Sequence, residues 1–459
     1  MKLNNILLSI LSLFLLINST YAYKVEITVK GIEGQHISLG YHYGKKNFIL
    51  DTIQLNLQAY GVFEADTTLP GGIFFIVLPS KNYFEFVMAN DQEFSLTTNI
   101  KNPIGEMQVD GSKENSLFYD YQKFSFKAHL EEDKLKKRYQ QCRTRDSLIF
   151  YASRLRMLQN QVEVTRKSLI DDNPDLFFPK VVSAMMQPTV PASIQDSLDM
   201  YFYYKKHFFD SFDFSDERLL RTSILPKKLE VYFQKVAYND KDSLISDVDN
   251  ILDKAKADSA MFRYSSMFIL KLFDFSWGPN ADETFIHIVE KYFIENNTYW
   301  QDSVFIHRLE TRINEIKPTL LGNPGPDLRL ENNLGEIISL YQIESDFTVL
   351  LFWDTDCDHC KKAIPMLSEA TKDFDNKEVT IAAIYIGKEK LEWLQSIEHS
   401  QTQHWLNVWD PEKNSHCEEL YDVFRTPEIY ILNKKHQIVA RRIEPENLIT
   451  SINVLLNHH

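Results

Sequence analysis

The stretch Phe347-Thr-Val-Leu-Leu-Phe-Trp-Asp-Thr-Asp-Cys357-Asp-His-Cys360-Lys-Lys-Ala-Ile-Pro365 joins a strand pattern to a helix pattern. Thr348 to Trp353 is an apolar run rich in aromatic and β-branched residues, which predicts a buried strand. After a short polar turn, Asp358 to Asp373 carries apolar residues at helical spacing and predicts a helix. The two cysteines therefore lie where a strand gives way to a helix.

This position favours thiolate chemistry at Cys357. Free backbone N–H groups and the positive end of the helix dipole favour a thiolate over a thiol at a helix N-terminus. Cys360 follows three residues later and can close a disulfide with Cys357 across the first helical turn. We expect Cys357 to be the exposed nucleophile and Cys360, one turn deeper, to resolve the mixed disulfide.

The two residues between the cysteines are candidates for tuning the redox couple. His359, when protonated, stabilises the thiolate and makes the couple more oxidising. Asp358 acts oppositely, because a negative charge raises the pKa of a nearby thiol. A solvated His359 without influence on the couple is the alternative, and the balance between the two residues stays open.

The order of residues resembles the thioredoxin superfamily, most closely its exported ResA/TlpA-type thiol-disulfide oxidoreductases, from about Gly322 onward. Gly325-Pro-Asp-Leu-Arg-Leu330 and Leu334-Gly-Glu-Ile-Ile-Ser-Leu340 resemble that family's first hairpin, and Pro365 stands where the family kinks its active-site helix. Tyr421-Asp-Val-Phe-Arg-Thr426-Pro427-Glu-Ile-Tyr-Ile-Leu432 resembles the segment with the family's cis-proline.

The resemblance assigns Pro427 and Thr426 to the site. It implies that Pro427 is the cis-proline packed against the cysteines and that Thr426 offers backbone groups to a bound substrate chain. Cis bonds are nearly confined to X-Pro, so this assignment is chemically sound. Several positions depart from the pattern: Asp356 replaces the usual Trp, Asp358-His359 the usual Gly-Pro, Leu351 the buried acid of cytoplasmic thioredoxins, and Glu428 the common threonine after the cis-proline.

Composition narrows the function classes. The chain has 459 residues, 44% of them hydrophobic, and a net charge of −14. This length predicts two to four domains with cores of their own. The acidic balance and the absence of a long basic run argue against nucleic-acid binding.

The first 22 residues have the pattern of a cleaved signal peptide. Lys2 precedes the mostly apolar Ile6 to Ile17, and Thr20-Tyr21-Ala22 offers small residues where a signal peptidase cleaves. The apolar run is short for a membrane span, so an uncleaved anchor is the less favoured alternative. We expect a periplasmic or otherwise exported protein with no membrane span after signal removal.

Two further regions precede the thioredoxin-like one. Period-two alternation in Val25 to Lys30, Tyr60 to Thr68 and Tyr83 to Met88 predicts a β-sandwich or open barrel over residues 23–111. From 112 to 318, glycine occurs only at Gly278, and amphipathic stretches such as Leu130 to Asn160 predict a helical domain. Two aromatic clusters, Tyr201 to Tyr204 and Phe208 to Phe214, are interpreted as helix-packing core with some amphipathic rings at its edge rather than as an exposed docking surface.

The resulting fold prediction is multidomain: an N-terminal all-β domain, a central all-α domain and a C-terminal α/β thioredoxin-like fold over residues 319–459. The predicted function is exchange of the Cys357–Cys360 dithiol with protein disulfides or dithiols, as a reductase by family resemblance and without a cofactor. An exported reductase needs electrons, so a membrane electron donor is expected.

Other functions use the same cysteines. Copper or zinc could bind Cys357 and Cys360 with His359, His404 or His416, although no second Cys-x-x-Cys pair completes a four-ligand site and we predict no metal. A binding scaffold with little turnover is a second alternative. A peroxidase is disfavoured because its Thr-x-x-Cys spacing is absent. The two other cysteines, Cys142 in a charged helical stretch and Cys417 as a small buried residue, carry no predicted redox role.

Overall fold

The computed structural model describes residues 22–274, 281–295 and 300–457. The predicted signal peptide lies outside the described residues apart from Ala22. The chain packs as two compact units, one formed by the described part of Met1–Ala237 with Leu252–Ser265 and the other by Tyr238–Ile251 with the described part of Ser266–His459. The helical residues are thus divided between the units, and the domain boundaries at residues 111 and 318 stay a prediction.

The first unit begins with two four-stranded sheets, in the orders β4-β1-β7-β8 and β3-β2-β5-β6. The strands are β1 (Tyr23–Lys30), β2 (His36–Tyr43), β3 (Lys46–Gln54), β4 (Tyr60–Ala65), β5 (Gly72–Val77), β6 (Tyr83–Met88), β7 (Glu93–Asn99) and β8 (Gln108–Asp110). Alternate residues of β1 are buried, as its period-two pattern predicts. The strands β1 and β7 pair in parallel, an arrangement that consecutive β-hairpins do not produce.

Helices follow the sheets. They are α1 (Lys113–Gln140), α2 (Arg145–Asp171), α3 (Phe177–Ala184), α4 (Ser197–His207), α5 (Ile224–Val231), α6 (Lys241–Ala255) and α7 (Ser259–Asp274). The stretch Leu130 to Asn160 is not continuous, because α1 ends at Gln140 and a new helix, α2, begins at Arg145 with the side chain of Thr144 as its N-cap. Cys142 accordingly lies in the turn between α1 and α2 rather than in a helix. The aromatic residues Phe208, Phe209, Phe212 and Phe214 are buried, which confirms their interpretation as core. The cluster Tyr201 to Tyr204 lies at the edge instead, with Phe202 55% exposed and the three tyrosines half-buried.

The second unit contains two helices that matter for the site, α8 (Ala281–Ile288), which continues as a π-helical turn, and α9 (Ser303–Ile316). A seven-stranded sheet follows in the order β10-β9-β13-β12-β11-β14-β15. Its strands are β9 (Arg329–Asn332), β10 (Ile337–Ser339), β11 (Phe347–Trp353), β12 (Val379–Tyr385), β13 (Leu406–Trp409), β14 (Glu428–Asn433) and β15 (Ile438–Arg441). The helices are α10 (Asp358–Thr371), α11 (Lys390–His399), α12 (Cys417–Leu420) and α13 (Leu448–Asn457).

The sheet is covered on both faces, which explains its sequence. Every residue of β11 is buried, because this central strand packs against a core on each face. One core contains Trp393 and the other Tyr421. The multidomain arrangement of β, helical and thioredoxin-like parts confirms the predicted fold class. No helix within the described ranges combines the length and the apolar character needed to cross a membrane.

Candidate redox site

Cys357 is the N-cap residue of α10. The strand β11 ends at Trp353 and α10 begins at Asp358, so Cys357 has extended backbone angles of φ −82° and ψ 115°. Its sulfur accepts a hydrogen bond from the backbone N–H of Cys360 at 3.1 Å. The first N–H groups of a helix have no intrahelical acceptor, so this sulfur occupies the place of a capping oxygen.

A second segment reaches the sulfur from the start of β14. The Thr426–Pro427 peptide bond is cis, and we call residues 422–427 the cis-proline loop. The Cys357 thiol donates a hydrogen bond to the backbone carbonyl of Thr426 at 3.1 Å. Antiparallel pairing of β14 with β11 sets Glu428 opposite Phe352, which places the loop beside the end of the cysteine-bearing strand.

The two thiols have opposite protonation tendencies. Partial burial of Cys357 favours the thiol, but hydrogen bonds from the Cys360 thiol, the Thr426 side chain and the backbone of Cys360 and His359 outweigh it and lower the pKa of Cys357. Cys360 is only 1% exposed, and burial together with its bond to Cys357 raises its pKa to about 12. Cys357 is therefore the thiol poised to ionise first.

The charged neighbours in the first helical turn are in solvent. The Asp358 side chain is 90% exposed and pairs with Lys361 at 3.3 Å. His359 is also exposed, and it influences Cys357 through its backbone N–H. Its side chain lines a cavity of about 370 Å³ together with Met366, Thr426 and Pro427. This cavity joins the two segments that hold Cys357.

Cys360 borders a different cavity. This larger space of about 890 Å³ is lined by Cys360 with Trp353, Asp354, Pro365 and His399, among others. Pro365 lies within α10, where the resemblance placed it. Cys360 therefore borders a recess separate from the cavity that contains His359.

The burial of Glu428 could not be predicted from the sequence. It is 1% exposed, and neither carboxylate oxygen has a hydrogen-bond partner among the described residues. Burial raises its pKa to about 7, against the opposing pull of Arg442, Arg425 and Arg441. The detectable signal was an acidic residue between Pro427 and an apolar strand. Leu351, at the family's usual acid position, is fully buried.

The remaining candidate residues lie elsewhere. Cys417 packs in the sheet's second core, where burial raises its pKa to about 11, as a small buried residue is expected to do. His416 pairs with Glu419 at 2.8 Å, and His404 lies 3.5 Å from the Thr371 hydroxyl. Within the described ranges, no three or more His, Cys, Asp or Glu side chains are grouped so that they could hold a metal ion.

Comparisons with known proteins match two separate regions of the chain. Residues 321–441 match the AhpC/TSA family, and residues 157–313 match a domain of unknown function, DUF5106. The thiol-disulfide oxidoreductase ResA of Bacillus subtilis is 27% identical over 121 residues, which are 26% of this chain and 64% of ResA. The match thus covers slightly less than two-thirds of the length of ResA.

Two solved structures are similar to parts of this chain, and the first of them supports the fold. A thioredoxin-like protein from Bacteroides caccae superposes with a TM-score of 0.50 at 18% identity, covering 60% of this chain and 98% of that one. A domain of a possible thiol-disulfide isomerase from Cytophaga hutchinsonii is 31% identical and covers 30% of this chain and 97% of its own, with a TM-score of 0.28. The C-terminal part of the chain is a thioredoxin-like domain homologous to ResA, and a DUF5106 domain precedes it.

Proposed function

We propose that the protein is an exported thiol-disulfide oxidoreductase that reduces disulfides of protein substrates with its Cys357–Cys360 dithiol. The main support is the contrast between the two sulfurs. Cys357 lies at a helix N-cap with a lowered pKa, and Cys360 is buried one turn deeper with a pKa raised to about 12. Thiol-disulfide exchange needs this division into a ready nucleophile and a protected second thiol.

The reaction proceeds in two exchanges. The Cys357 thiolate attacks one sulfur of the substrate disulfide, forms a mixed disulfide and releases the other substrate sulfur as a thiolate. Cys360 then loses its proton and attacks the Cys357 sulfur, which closes the Cys357–Cys360 disulfide and releases the second substrate sulfur. Two electrons pass to the substrate, whose two thiolates take up protons.

The cis-proline loop supplies the place for the substrate chain. In the dithiol form the Thr426 carbonyl accepts a hydrogen bond from Cys357, so a substrate strand beside this sulfur meets Thr426 backbone groups. The cavity containing His359 and Met366 lies next to that position and offers room for a substrate side chain. Thr426 and Pro427 are therefore the proposed substrate-contact residues.

Repeated turnover needs a source of electrons. Each cycle leaves the protein as a disulfide, and an exported compartment is oxidising, so a partner must return two electrons. A membrane-bound dithiol donor is the class of partner that can deliver electrons from the cell interior. The signal-peptide pattern of residues 1–22 supports the exported location.

Substitution of the cysteines tests the proposal. Cys357→Ser should abolish reduction of an insulin-type disulfide substrate, and Cys360→Ser should accumulate a mixed disulfide with that substrate. Cys142→Ser is the matched control, because this cysteine lies in a turn of the other compact unit, and it should keep wild-type activity. Normal turnover by the Cys357→Ser protein would refute the assignment.

A further inference from the structure

The cis-proline loop is anchored by a residue of the preceding helical segment. Asp422, at the start of the loop, is 7% exposed. The Arg312 guanidinium, on α9, donates to both of its carboxylate oxygens, with Nη2 to Oδ2 at 3.0 Å. This bidentate geometry fixes direction as well as distance, which a single contact does not.

A second helical residue extends the anchor through Arg442. Asp282, on α8, is 2% exposed and accepts a hydrogen bond from Arg442 at 2.8 Å. Arg442 in turn donates to Asp422 at 2.7 Å. Asp282, Arg442, Asp422 and Arg312 therefore form one chain of charges, with both carboxylates buried, that starts on α8, passes through the cis-proline loop and ends on α9.

The loop conformation depends on these contacts. Asp422 and Arg442 both have left-handed backbone angles, with φ of 51° and 50°. Residues other than glycine seldom adopt such angles unless their surroundings hold them there. The Phe424 ring lies between the two guanidiniums, 5.6 Å from Arg312 and 5.2 Å from Arg442. The loop is thus held both by ion pairs to the helical segment and by the packing of its own aromatic side chain, Phe424.

The other end of this short loop touches the redox site, since the Thr426 carbonyl lies 3.1 Å from the Cys357 sulfur. We propose that Asp282 and Arg312, on the helices that precede the thioredoxin-like domain, are positioning residues that set the cis-proline loop against Cys357. They act through Asp422 and Arg442 and do not touch the substrate. The effect on substrate binding rests on the function proposed above, and the effect on Cys357 does not.

The first test uses the reactivity of Cys357, which requires no turnover. Arg312→Gln should loosen the loop and with it the Thr426 side-chain hydrogen bond that lowers the pKa of Cys357, so iodoacetamide alkylation of Cys357 in the reduced protein at pH 7 should slow at least threefold and its pH profile should move upward. Arg312→Lys should recover most of the rate by restoring the charge. Arg308→Gln, which removes an exposed arginine from the same helix, should leave the profile unchanged.

The second test separates positioning from folding and from charge. Phe424→Ala removes a side chain that is 52% exposed and changes no charge, so it should fold normally. It should raise the KM for an insulin-type disulfide substrate severalfold while kcat changes less than twofold. It should also slow Cys357 alkylation in the same direction as Arg312→Gln.

The outcomes are separable. A wild-type pH profile in both the Phe424→Ala protein and a folded Arg312→Gln protein would overturn the positioning role. Should Arg312→Gln fail to fold, the Phe424→Ala profile decides alone. Absence of reductase activity in the wild-type protein would refute the proposed function, and the alkylation profiles would still decide the positioning role.

Discussion

The two segments that hold Cys357 carry similar charges in opposite surroundings. The first turn of α10 has Asp358 and Lys361 in solvent, with the Asp358 side chain 90% exposed. The cis-proline loop and the residue after it have Asp422 and Glu428 in the interior, at 7% and 1% exposure. Both segments contact the same sulfur, the helix through backbone N–H groups and the loop through Thr426.

This difference in burial separates residues that tune the redox potential from residues that position the loop. Exposed ion pairs contribute about 0–1 kcal/mol, because water screens them and the side chains lose entropy. Breaking a buried pair costs roughly 3–5 kcal/mol, because it leaves an uncompensated charge. Substitutions on the helix side should therefore adjust the redox potential slightly, whereas those on the loop side should change stability and geometry.

The largest effect is expected from Glu428, on the buried side. Its pKa is raised from 4.5 to about 7, so the folded protein binds more protons than the unfolded chain between these pH values, and stability falls as the pH rises through this window. Glu428→Gln lacks this titration. Its stability relative to the wild type should rise by about 3 kcal/mol from pH 4.5 to pH 7.

Urea unfolding of both proteins across this pH range measures the difference. Glu444→Gln is the matched control, because the Glu444 side chain is 58% exposed and also pairs with Arg425. Its stability relative to the wild type should stay nearly constant. A Glu428→Gln difference that is flat with pH would show that the buried carboxyl titrates normally, and the contrast between the two sides would fail.

An intermediate effect is expected from Cys360, which lies between the two sides. Its thiol donates a hydrogen bond that lowers the pKa of Cys357. Cys360→Ala removes this donor and should slow iodoacetamide alkylation of Cys357 at pH 7 roughly fivefold, as expected for the loss of about 1 kcal/mol. Cys360→Ser keeps a hydroxyl donor and should slow it less. Equal rates in the two variants would exclude this hydrogen bond as a cause.

The smallest effects are expected on the exposed side. His359→Ala removes an imidazole that favours the thiolate when it is protonated, and so should make the couple more reducing, by roughly 10–20 mV for an exposed interaction. The backbone N–H that reaches Cys357 is kept in this variant. Asp358→Ala should shift the potential in the opposite direction by a similar amount. A shift of His359→Ala to a higher potential would reverse the assigned role of this side chain.

Local pattern was sufficient for the elements that hold the cysteines. A run of apolar residues with no polar interruption indicated the central strand Phe347–Trp353, and helical spacing began at Asp358, where the helix does begin. The cis bond at Pro427 came from resemblance alone, because no spacing rule distinguishes one X-Pro bond from another. Cys417 was predicted to pack as a small apolar residue and does so.

Long-range pairing was beyond local pattern. Arg312 and Asp422 are 110 residues apart, and each resembles any other surface charge in its own segment. The burial of Glu428 was equally hidden, although its place in an apolar strand was visible. The turn at Cys142 was missed because Thr144, the N-cap of the helix that follows this turn, is one of many hydroxyl residues in a stretch with helical periodicity. Tertiary contacts decide the first two cases, and a local N-cap decides the third.

The central claim is that Cys357 and Cys360 form a reversible dithiol-disulfide couple that works as a reductase. Equilibration of the wild-type protein in glutathione buffers, with thiol trapping and mass analysis of the Cys357–Cys360 peptide, tests it most directly. We expect a two-electron curve of about 30 mV per tenfold change in ratio, with a midpoint nearer about −270 mV than about −120 mV. A peptide that never forms the Cys357–Cys360 disulfide, or a midpoint near about −120 mV, would contradict it.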